Sequence, residues 1–365
     1  MPEHPAASHS PGTVRVTAGA LSGFDRTGPG LVAVGHWTDP VARTGCTVLV
    51  LPEGTIGSAE VRGGAPATRE FDVLAPTATV QRLDAVVLSG GSAFGLAAVD
   101  GALSALSDAG RGFPTAGGVV PIVAGMSLFD LAVGSPEVRP GATEGRLAAE
   151  AALERLEASG ASHEAGSGGV GAGAGATHGS LNGGIGAGAG ATVSKWRGRD
   201  HAAPGGVVST TLAEGDFTMS ALIAINAFGD VVGHGPATEP WPSLVPPEED
   251  LSPFGGETAP EGTNTTLGLL VTDAALSKTE CLLLAQGAHD GYARAITPPH
   301  CRVDGDAVVA AATGTVPMAA HDDPRRVAQV ELLRWMAVRA TQDALATLAD
   351  VAPRGPIPWI DDPAT

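Results

Sequence analysis

A threonine that follows a glycine- and proline-rich loop is well placed for nucleophilic chemistry. Thr265 lies where the acidic run 248–262 gives way to the apolar run 267–271, which predicts a buried strand that begins with hydroxyl side chains. Cleavage of the Asn264–Thr265 bond would leave a hydroxyl and a free α-amine on one residue. With an ordinary pKa of about 8, that amine can take the hydroxyl proton near neutral pH. The alternative is that Thr265 and Thr266 only begin a strand, where threonine is common.

Other side chains that could take part in catalysis stand near the ends of predicted strands. Lys195 is the only lysine in the first three-quarters of the chain, although most lysines are simply solvated. Asn226 ends an apolar run, and its amide either caps a turn or stabilises an oxyanion. Asp304 and Asp306 form an Asp-Gly-Asp motif before the apolar run 307–312. The motif is similar to half of a calcium loop, but the remaining ligands are missing.

A glycine-rich turn follows a further predicted strand. Residues 83–101 read as a buried strand, a turn at Gly90 and Gly91, and a helix of small residues. Ser92 stands in G-x-S-x-x-G, which is not the nucleophile elbow of serine hydrolases. The dinucleotide and phosphate-loop patterns are also absent. We therefore predict close packing of helix on sheet, with backbone N–H groups at the helix start available to a ligand or an oxyanion.

Composition limits the classes of function. The formal net charge of −18 argues against partners such as nucleic acid or anionic membranes and favours neutral or cationic small substrates. The three cysteines include no C-x-x-C pair, so neither a disulfide framework nor a zinc site is predicted. No secretory signal and no apolar run of membrane-spanning length is apparent. We expect a globular cytoplasmic protein without a metal or other cofactor.

Local patterns predict the elements that position these residues. Residues 205–212 and 217–230 have the alternation of an antiparallel hairpin. Ser277 and Glu280 have the spacing of a capping box, which opens a helix to about residue 296. A second long helix is predicted from Pro324 to about residue 351, with an apolar stripe that contains Val327, Val330, Leu333, Met336 and Leu345.

Three segments read as irregular. Residues 1–25 are predicted to be disordered, and residues 233–262 form a Pro/Glu/Gly-rich linker long enough to be cleaved. The GAGAGAT tract at 171–177 recurs at 186–192. The repeat is too short for a solenoid and indicates a local duplication in a glycine loop.

Several separated blocks together resemble one family. In order along the chain they are GHWTDPVARTGCTV, VRGGAPATRE, AVVLSGGSAFGLAAVDG, GAGAGATVSK, NAFGDVV, NTTLGLLVTDA and DGDAVVAAATG. They are similar to the P1 peptidases, peptidase family S58, over about residues 30–315. The resemblance implies an α/β fold of N-terminal-nucleophile-hydrolase type, a four-layer αββα sandwich. It also implies cleavage between Asn264 and Thr265 into fragments 1–264 and 265–365.

The resemblance assigns roles to individual residues. Thr265 is the implied nucleophile of both self-cleavage and substrate hydrolysis. Lys195 and Asn226 match positions that assist the nucleophile and stabilise the oxyanion. Asp304 and Asp306 match an acidic pair near the nucleophile, where a carboxylate can hold a substrate ammonium.

The resemblance also implies a substrate site and a reaction. Phe129, Gly91 and Ser92 are expected to bind substrate, although Phe129 stands where many members carry a tyrosine that donates to the oxyanion. The implied function is a self-processing aminopeptidase or amidohydrolase that acts on small peptides or amides through an acyl-enzyme, as a tetramer or octamer. The alternatives are an acyltransferase of the ornithine acetyltransferase type and a non-catalytic ligand-binding member of the fold.

Overall fold

The computed structural model describes residues 14–21, 24, 30–164, 177–178, 181–234 and 264–360. The strands are β1 (Arg15–Ala20), β2 (Ala33–Asp39), β3 (Thr44–Val50), β4 (Ile56–Val61), β5 (Thr68–Arg69), β6 (Ala85–Ser89), β7 (Phe113–Thr115), β8 (Gly118–Val120), β9 (Val123–Ser127), β10 (Thr177–His178), β11 (Thr192–Val193), β12 (Ala203–Pro204), β13 (Gly206–Glu214), β14 (Phe217–Asn226), β15 (Asp230–Val231), β16 (Thr265–Ala274), β17 (Ile296–Thr297) and β18 (Ala307–Val316).

The helices are fewer and longer. They are α1 (Ala98–Asp108), α2 (Ala142–Glu164), α3 (Lys278–Ala295), α4 (Pro324–Ala346) and the short α5 (Leu348–Val351). Short 3-10 segments precede α1 and follow β11. Within the described residues, no helix has the length and apolar character needed to cross a bilayer.

Two sheets and two pairs of helices stack as four layers. The first sheet has the order β10-β1-β2-β3-β6-β9-β5, and the second has β13-β14-β16-β18-β4. Leucines and valines from both sheets share one apolar core between them. A second core joins the first sheet to α1 and α2, and a third joins the second sheet to α3 and α4. Each sheet is therefore covered on both faces, and the predicted αββα sandwich is confirmed.

The strand that begins at Thr265 lies in the middle of the second sheet. β16 pairs antiparallel with β14, where Asn226 is the partner of Thr265. On its other side β16 runs parallel to β18. A bridge between Asn264 and Asp304 extends this pairing beyond the strand ends. The end of β14 and the starts of β16 and β18 therefore lie close together at one end of the sheet.

Local predictions for the second sheet and its helices were largely confirmed. β13 and β14 form the expected hairpin, in register from Gly206–Ile225 to Glu214–Phe217. Both hydrogen bonds of the capping box between Ser277 and Glu280 are present at the start of α3. Val327 is the exception, because it is 69% exposed. α4 turns that position to solvent and buries the later part of the predicted stripe.

The N-terminal segment departs from the prediction. Residues 15–20 form β1, which pairs with β2 along its whole length, so the expectation of disorder through residue 25 was wrong for this stretch. Six consecutive pairings with a buried strand provide backbone hydrogen bonds that local polarity does not reveal. The rest of the predicted linker after residue 234 and the first glycine tract, residues 171–176, lie outside the described residues.

A largely buried ion pair joins α4 to the start of α3. Arg326 donates to Glu280 from Nε and from Nη2, both at 2.7 Å. We expect Arg326→Met to lower the free energy of unfolding by about 3 kcal/mol, because Glu280 keeps its charge without its cation. Arg325→Met is the matched control, since Arg325 pairs with Asp323 on the surface and the expected loss is below about 1 kcal/mol. Urea titration checks this, and equal losses in the two variants would contradict it.

Candidate active site

Thr265 is buried at the start of β16, with its hydroxyl beside the preceding carbonyl. Its side chain is 3% exposed, and Oγ1 donates to the carbonyl oxygen of Asn264. The N–H of Gly305 donates to the same oxygen at 3.0 Å. A hydroxyl and a polarising donor therefore converge on the carbonyl of the Asn264–Thr265 peptide.

Only glycine fits at position 305. A Cβ there would lie 2.7 Å from Thr265 Oγ1 and 2.7 Å from the carbonyl oxygen of Ala65, which is closer than carbon approaches oxygen without a clash. Because Gly305 has no side chain, its backbone can lie against Thr265. The middle residue of the Asp-Gly-Asp motif thus has a steric reason to be glycine.

Lys195 and Asn226 form a connected pair next to Thr265. Lys195 Nζ donates to the Asn226 side-chain oxygen at 2.9 Å and to its backbone oxygen at 3.2 Å. The backbone N–H of Thr192 donates to the same side-chain oxygen at 2.9 Å. The Asn226 amide group in turn donates to the backbone oxygen of Phe129 at 2.9 Å. Because Asn226 and Thr265 are register partners, the lysine amine is held at the Thr265 end of β16.

Burial changes the acid–base properties of this pair. It lowers the pKa of the Lys195 amine to about 7, against the opposing charge of Asp304. Burial, followed by the charge of Asp306, raises the pKa of the Asp304 carboxyl to about 7. The lysine can therefore exist as a neutral amine near physiological pH, which an exposed lysine cannot.

The two aspartates of the Asp-Gly-Asp motif are held by backbone donors. Asp304 accepts from the N–H of Phe228 at 3.2 Å and from that of Cys301 at 3.0 Å. Asp306 accepts from the N–H of Thr266 at 2.7 Å. Asp306 is thereby held beside Thr266 in β16, and Asp304 is held beside the residues that follow β14.

Sequence reasoning missed one neighbour of this site. His300 Nδ1 lies 2.8 Å from Asp306 Oδ2, and His300 was not among the residues to which the sequence assigned a role. The signal that could have found it is its position six residues before Asp306 in a turn that contains two prolines.

The glycine-rich turn is occupied by internal hydrogen bonds. The N–H of Gly91 donates to Asp130 Oδ1 at 2.7 Å, and that of Ser92 donates to the Leu128 carbonyl at 2.9 Å. The expectation that these two N–H groups are available to a ligand was therefore wrong. The same turn still adjoins Phe129, whose carbonyl holds Asn226, so substrate binding by Gly91, Ser92 and Phe129 stays a prediction.

Asp130 links this turn to the start of β3. Its second carboxylate oxygen accepts from Thr44 Oγ1 at 2.7 Å. Burial raises the pKa of Asp130 to about 6, although its hydrogen bonds oppose that rise.

No three His, Cys, Asp or Glu side chains come together as metal ligands in the described parts of the chain. The polar groups of the site are thus a hydroxyl, an amine, an amide and two carboxylates.

Comparison with known families decides the class of protein. The model of peptidase family S58 matches residues 29–352. The chain belongs to peptidase family S58. Its relatives include an uncharacterized aminopeptidase of Mycobacterium leprae (strain TN), 40% identical over 310 residues that span 80% of this chain and 79% of the relative. An uncharacterized aminopeptidase of Mycobacterium tuberculosis (strain H37Rv) is 39% identical over 312 residues, 80% of this chain and 81% of the relative.

Solved structures show the same fold at lower identity. A β-aminopeptidase of Burkholderia sp. aligns with a TM-score of 0.53 at 18% identity, over 91% of this chain and 83% of that one. The L-aminopeptidase D-Ala-esterase/amidase of Ochrobactrum anthropi, described as a variant of the Ntn hydrolase fold, aligns with a TM-score of 0.54 at 17% identity, over 92% and 84%. As an S58 peptidase, this chain is a hydrolase of peptide or other amide bonds.

Proposed function

We propose that this S58 peptidase is a self-processing aminopeptidase or amidase whose nucleophile is an N-terminal threonine. The observation that carries the proposal is the convergence of Thr265 Oγ1 and the Gly305 N–H on the Asn264 carbonyl oxygen. Small peptides and amides are the substrates that this chemistry suits.

Self-cleavage begins with an intact backbone, so the α-amine of Thr265 is not yet a base. Lys195 supplies that function in its neutral form. Thr265 Oγ1 attacks the Asn264 carbonyl carbon as its proton passes toward the amine of Lys195, and the Gly305 N–H stabilises the oxyanion. The C–N bond then breaks, the proton goes to the Thr265 nitrogen, and Asn264 is left as an ester on Oγ1. Water hydrolyses this ester, which gives the carboxylate of Asn264 and a free Thr265.

The unsatisfied side chain of Asn264 favours the break. Among the described residues, neither its amide nitrogen nor its amide oxygen has a hydrogen-bond partner, although Asn264 is 1% exposed. An unpaired buried polar group costs about 1–3 kcal/mol. As the end of the released fragment, Asn264 is free to turn toward water, and this cost disappears.

Substrate hydrolysis uses the terminus that cleavage creates. Thr265 Oγ1 attacks the substrate amide carbonyl, and its own α-amine takes the hydroxyl proton and passes it to the leaving amine. The acyl group then sits on Oγ1 until water removes it. Asp304 offers a negative charge to the substrate ammonium, and Asn226, held by Lys195, supplies an amide to the oxyanion.

Intact mass of freshly purified protein tests the proposal. We expect two masses that correspond to residues 1–264 and 265–365, and turnover of aminoacyl-p-nitroanilides. Transfer of the acyl group to an added amine in preference to water would make the protein an acyltransferase. A cleaved protein without turnover on aminoacyl anilides, β-peptides or amide oligomers would make it a binding member of the family.

Gly305→Ala is expected to slow self-cleavage at least about tenfold. The added Cβ would meet Thr265 Oγ1 and displace the N–H that polarises the Asn264 carbonyl, and loss of an oxyanion donor is costly. The time course of the two fragments by mass spectrometry measures the effect. Gly314→Ala is the control for a tolerated glycine change, since a Cβ there meets nothing within 4 Å, although its φ of 74° makes some strain inevitable. Equal cleavage rates in Gly305→Ala and the wild type would contradict the role of this N–H.

A further inference from the structure

His300 completes the arrangement around Asp306. Its Nδ1 lies 2.8 Å from Asp306 Oδ2, and its Nε2 lies 3.2 Å from the backbone oxygen of His289 on α3. The main chain at His300 has a φ of 51°, a left-handed conformation that non-glycine residues seldom adopt. The fold therefore holds this ring between a carbonyl and a carboxylate.

The two partners constrain the protons on the ring. A carbonyl oxygen only accepts, so Nε2 carries a hydrogen. An ionised carboxylate also only accepts, so a carboxylate at Asp306 requires a second hydrogen on Nδ1. The ring is then an imidazolium, and His300 and Asp306 together carry no net charge.

We propose that His300 is a positioning residue of the nucleophile site, a doubly protonated imidazolium that holds the Asp306 carboxylate against the Thr266 N–H and cancels its charge. The inference rests on the proposed function, because it gives His300 a part in the same reaction. Asp306 Oδ1 lies 2.7 Å from the Thr266 nitrogen, so rotation of the carboxylate would disturb the residue next to the nucleophile. Without the imidazolium, the charge of Asp306 would act uncompensated on Asp304.

The side chains around His300 are consistent with a positive charge on its ring. They are His289 and Tyr292 on α3, Arg62 in the loop after β4 and Asp306 in the loop before β18. Burial lowers the pKa of His289 to about 4 and raises that of Tyr292, so both are neutral near pH 7. Burial of the ring is the largest influence on the pKa of His300 and lowers it, and the charge of Arg62 lowers it slightly further. The hydrogen bond and charge of Asp306, together with the hydrogen bond to the His289 carbonyl, outweigh both, so the pKa of His300 is raised.

Nitrogen NMR reads the charge directly. In the full chain with ¹⁵N-labelled histidine, long-range ¹H–¹⁵N spectra distinguish an imidazolium from a neutral ring, and His300→Gln assigns the signal. We expect His300 to remain an imidazolium at about pH 7.5, where an unperturbed histidine is mostly neutral. A neutral ring at that pH would overturn the proposal whether or not the chain cleaves itself.

The pH profile of self-cleavage separates charge from hydrogen bonding. His300→Gln keeps a donor toward Asp306 but loses the positive charge, so the charge of Asp306 acts uncompensated on Asp304 and raises the pKa of that carboxyl. Because a protonated Asp304 no longer raises the pKa of Lys195, we expect the midpoint of the rate profile to move down by at least about half a pH unit. His321→Gln, the same change at an exposed position, should leave it in place. An unmoved midpoint in His300→Gln would refute the charge role, whereas a wild-type chain that never cleaves would refute the proposed function and leave the NMR result to decide the charge.

Discussion

Thr265→Ala is expected to give a single uncleaved chain with amide hydrolysis reduced at least about 10³-fold. The substitution removes the hydroxyl that attacks the Asn264 carbonyl, and without cleavage it also withholds the α-amine that serves as base in substrate turnover. Both effects follow from one oxygen atom, whose hydrogen bond to Asn264 lies at the proposed scissile bond. Intact mass and p-nitroanilide release measure the two outcomes separately.

The neighbouring threonine provides the control. Thr266→Ala keeps the backbone N–H that Asp306 accepts, and successive side chains of a strand point to opposite faces. We expect this variant to cleave, and Thr265→Ser to cleave as well because it retains a hydroxyl. Two fragments from Thr265→Ala, or an intact chain from Thr266→Ala alone, would mean that the nucleophile is assigned to the wrong residue.

Lys195→Arg is expected to slow self-cleavage by about 10²- to 10⁴-fold, the usual contribution of a general base. Arginine keeps the positive charge and donates hydrogen bonds, but it cannot lose its proton at these pH values. Lys278→Arg is the matched control, since the Lys278 amine binds the Val73 and Val80 carbonyls away from the site. Fragment formation followed over time at pH 8 compares the variants. Equal rates in Lys195→Arg and the wild type would exclude the lysine as base.

The same role for Lys195 predicts how the rate of self-cleavage changes with pH. Because burial lowers the pKa of Lys195 to about 7, its amine is neutral above that pH, and the rate of self-cleavage should rise as pH increases through about 7. Asp304 raises the pKa of Lys195, so Asp304→Asn should move the midpoint to lower pH. A midpoint that moves upward in this variant would show that another group controls the rate.

Features that depend on neighbouring residues could be predicted from the sequence. The apolar run that ends at Asn226 and the one that follows Thr265 are both strands, as predicted, because each pattern reports burial along a few residues. The same holds for the capping box at Ser277. The family resemblance added the expectation that Lys195 and the Asp-Gly-Asp motif lie near Thr265. The structure brings these residues together, while their catalytic roles remain proposals.

Features that depend on distant parts of the chain could not be predicted. The N–H groups of Gly91 and Ser92 looked available, but Asp130 and Leu128 approach them from a later segment. His300 lies only six residues before Asp306 in the same loop, but its left-handed backbone angle belongs to an irregular loop. Neither contact leaves a periodic pattern in the sequence.

The strand order of the second sheet has a consequence for what happens after the chain is cut. In the order β13-β14-β16-β18-β4, the two strands that follow residue 264 are enclosed on both sides by strands that precede it. The pieces would stay together as a non-covalent heterodimer, and the new amine would arise already docked. Once denatured, however, this heterodimer must reassemble from two separate molecules, so recovery of the native state would depend on concentration, whereas the unprocessed precursor would refold alone.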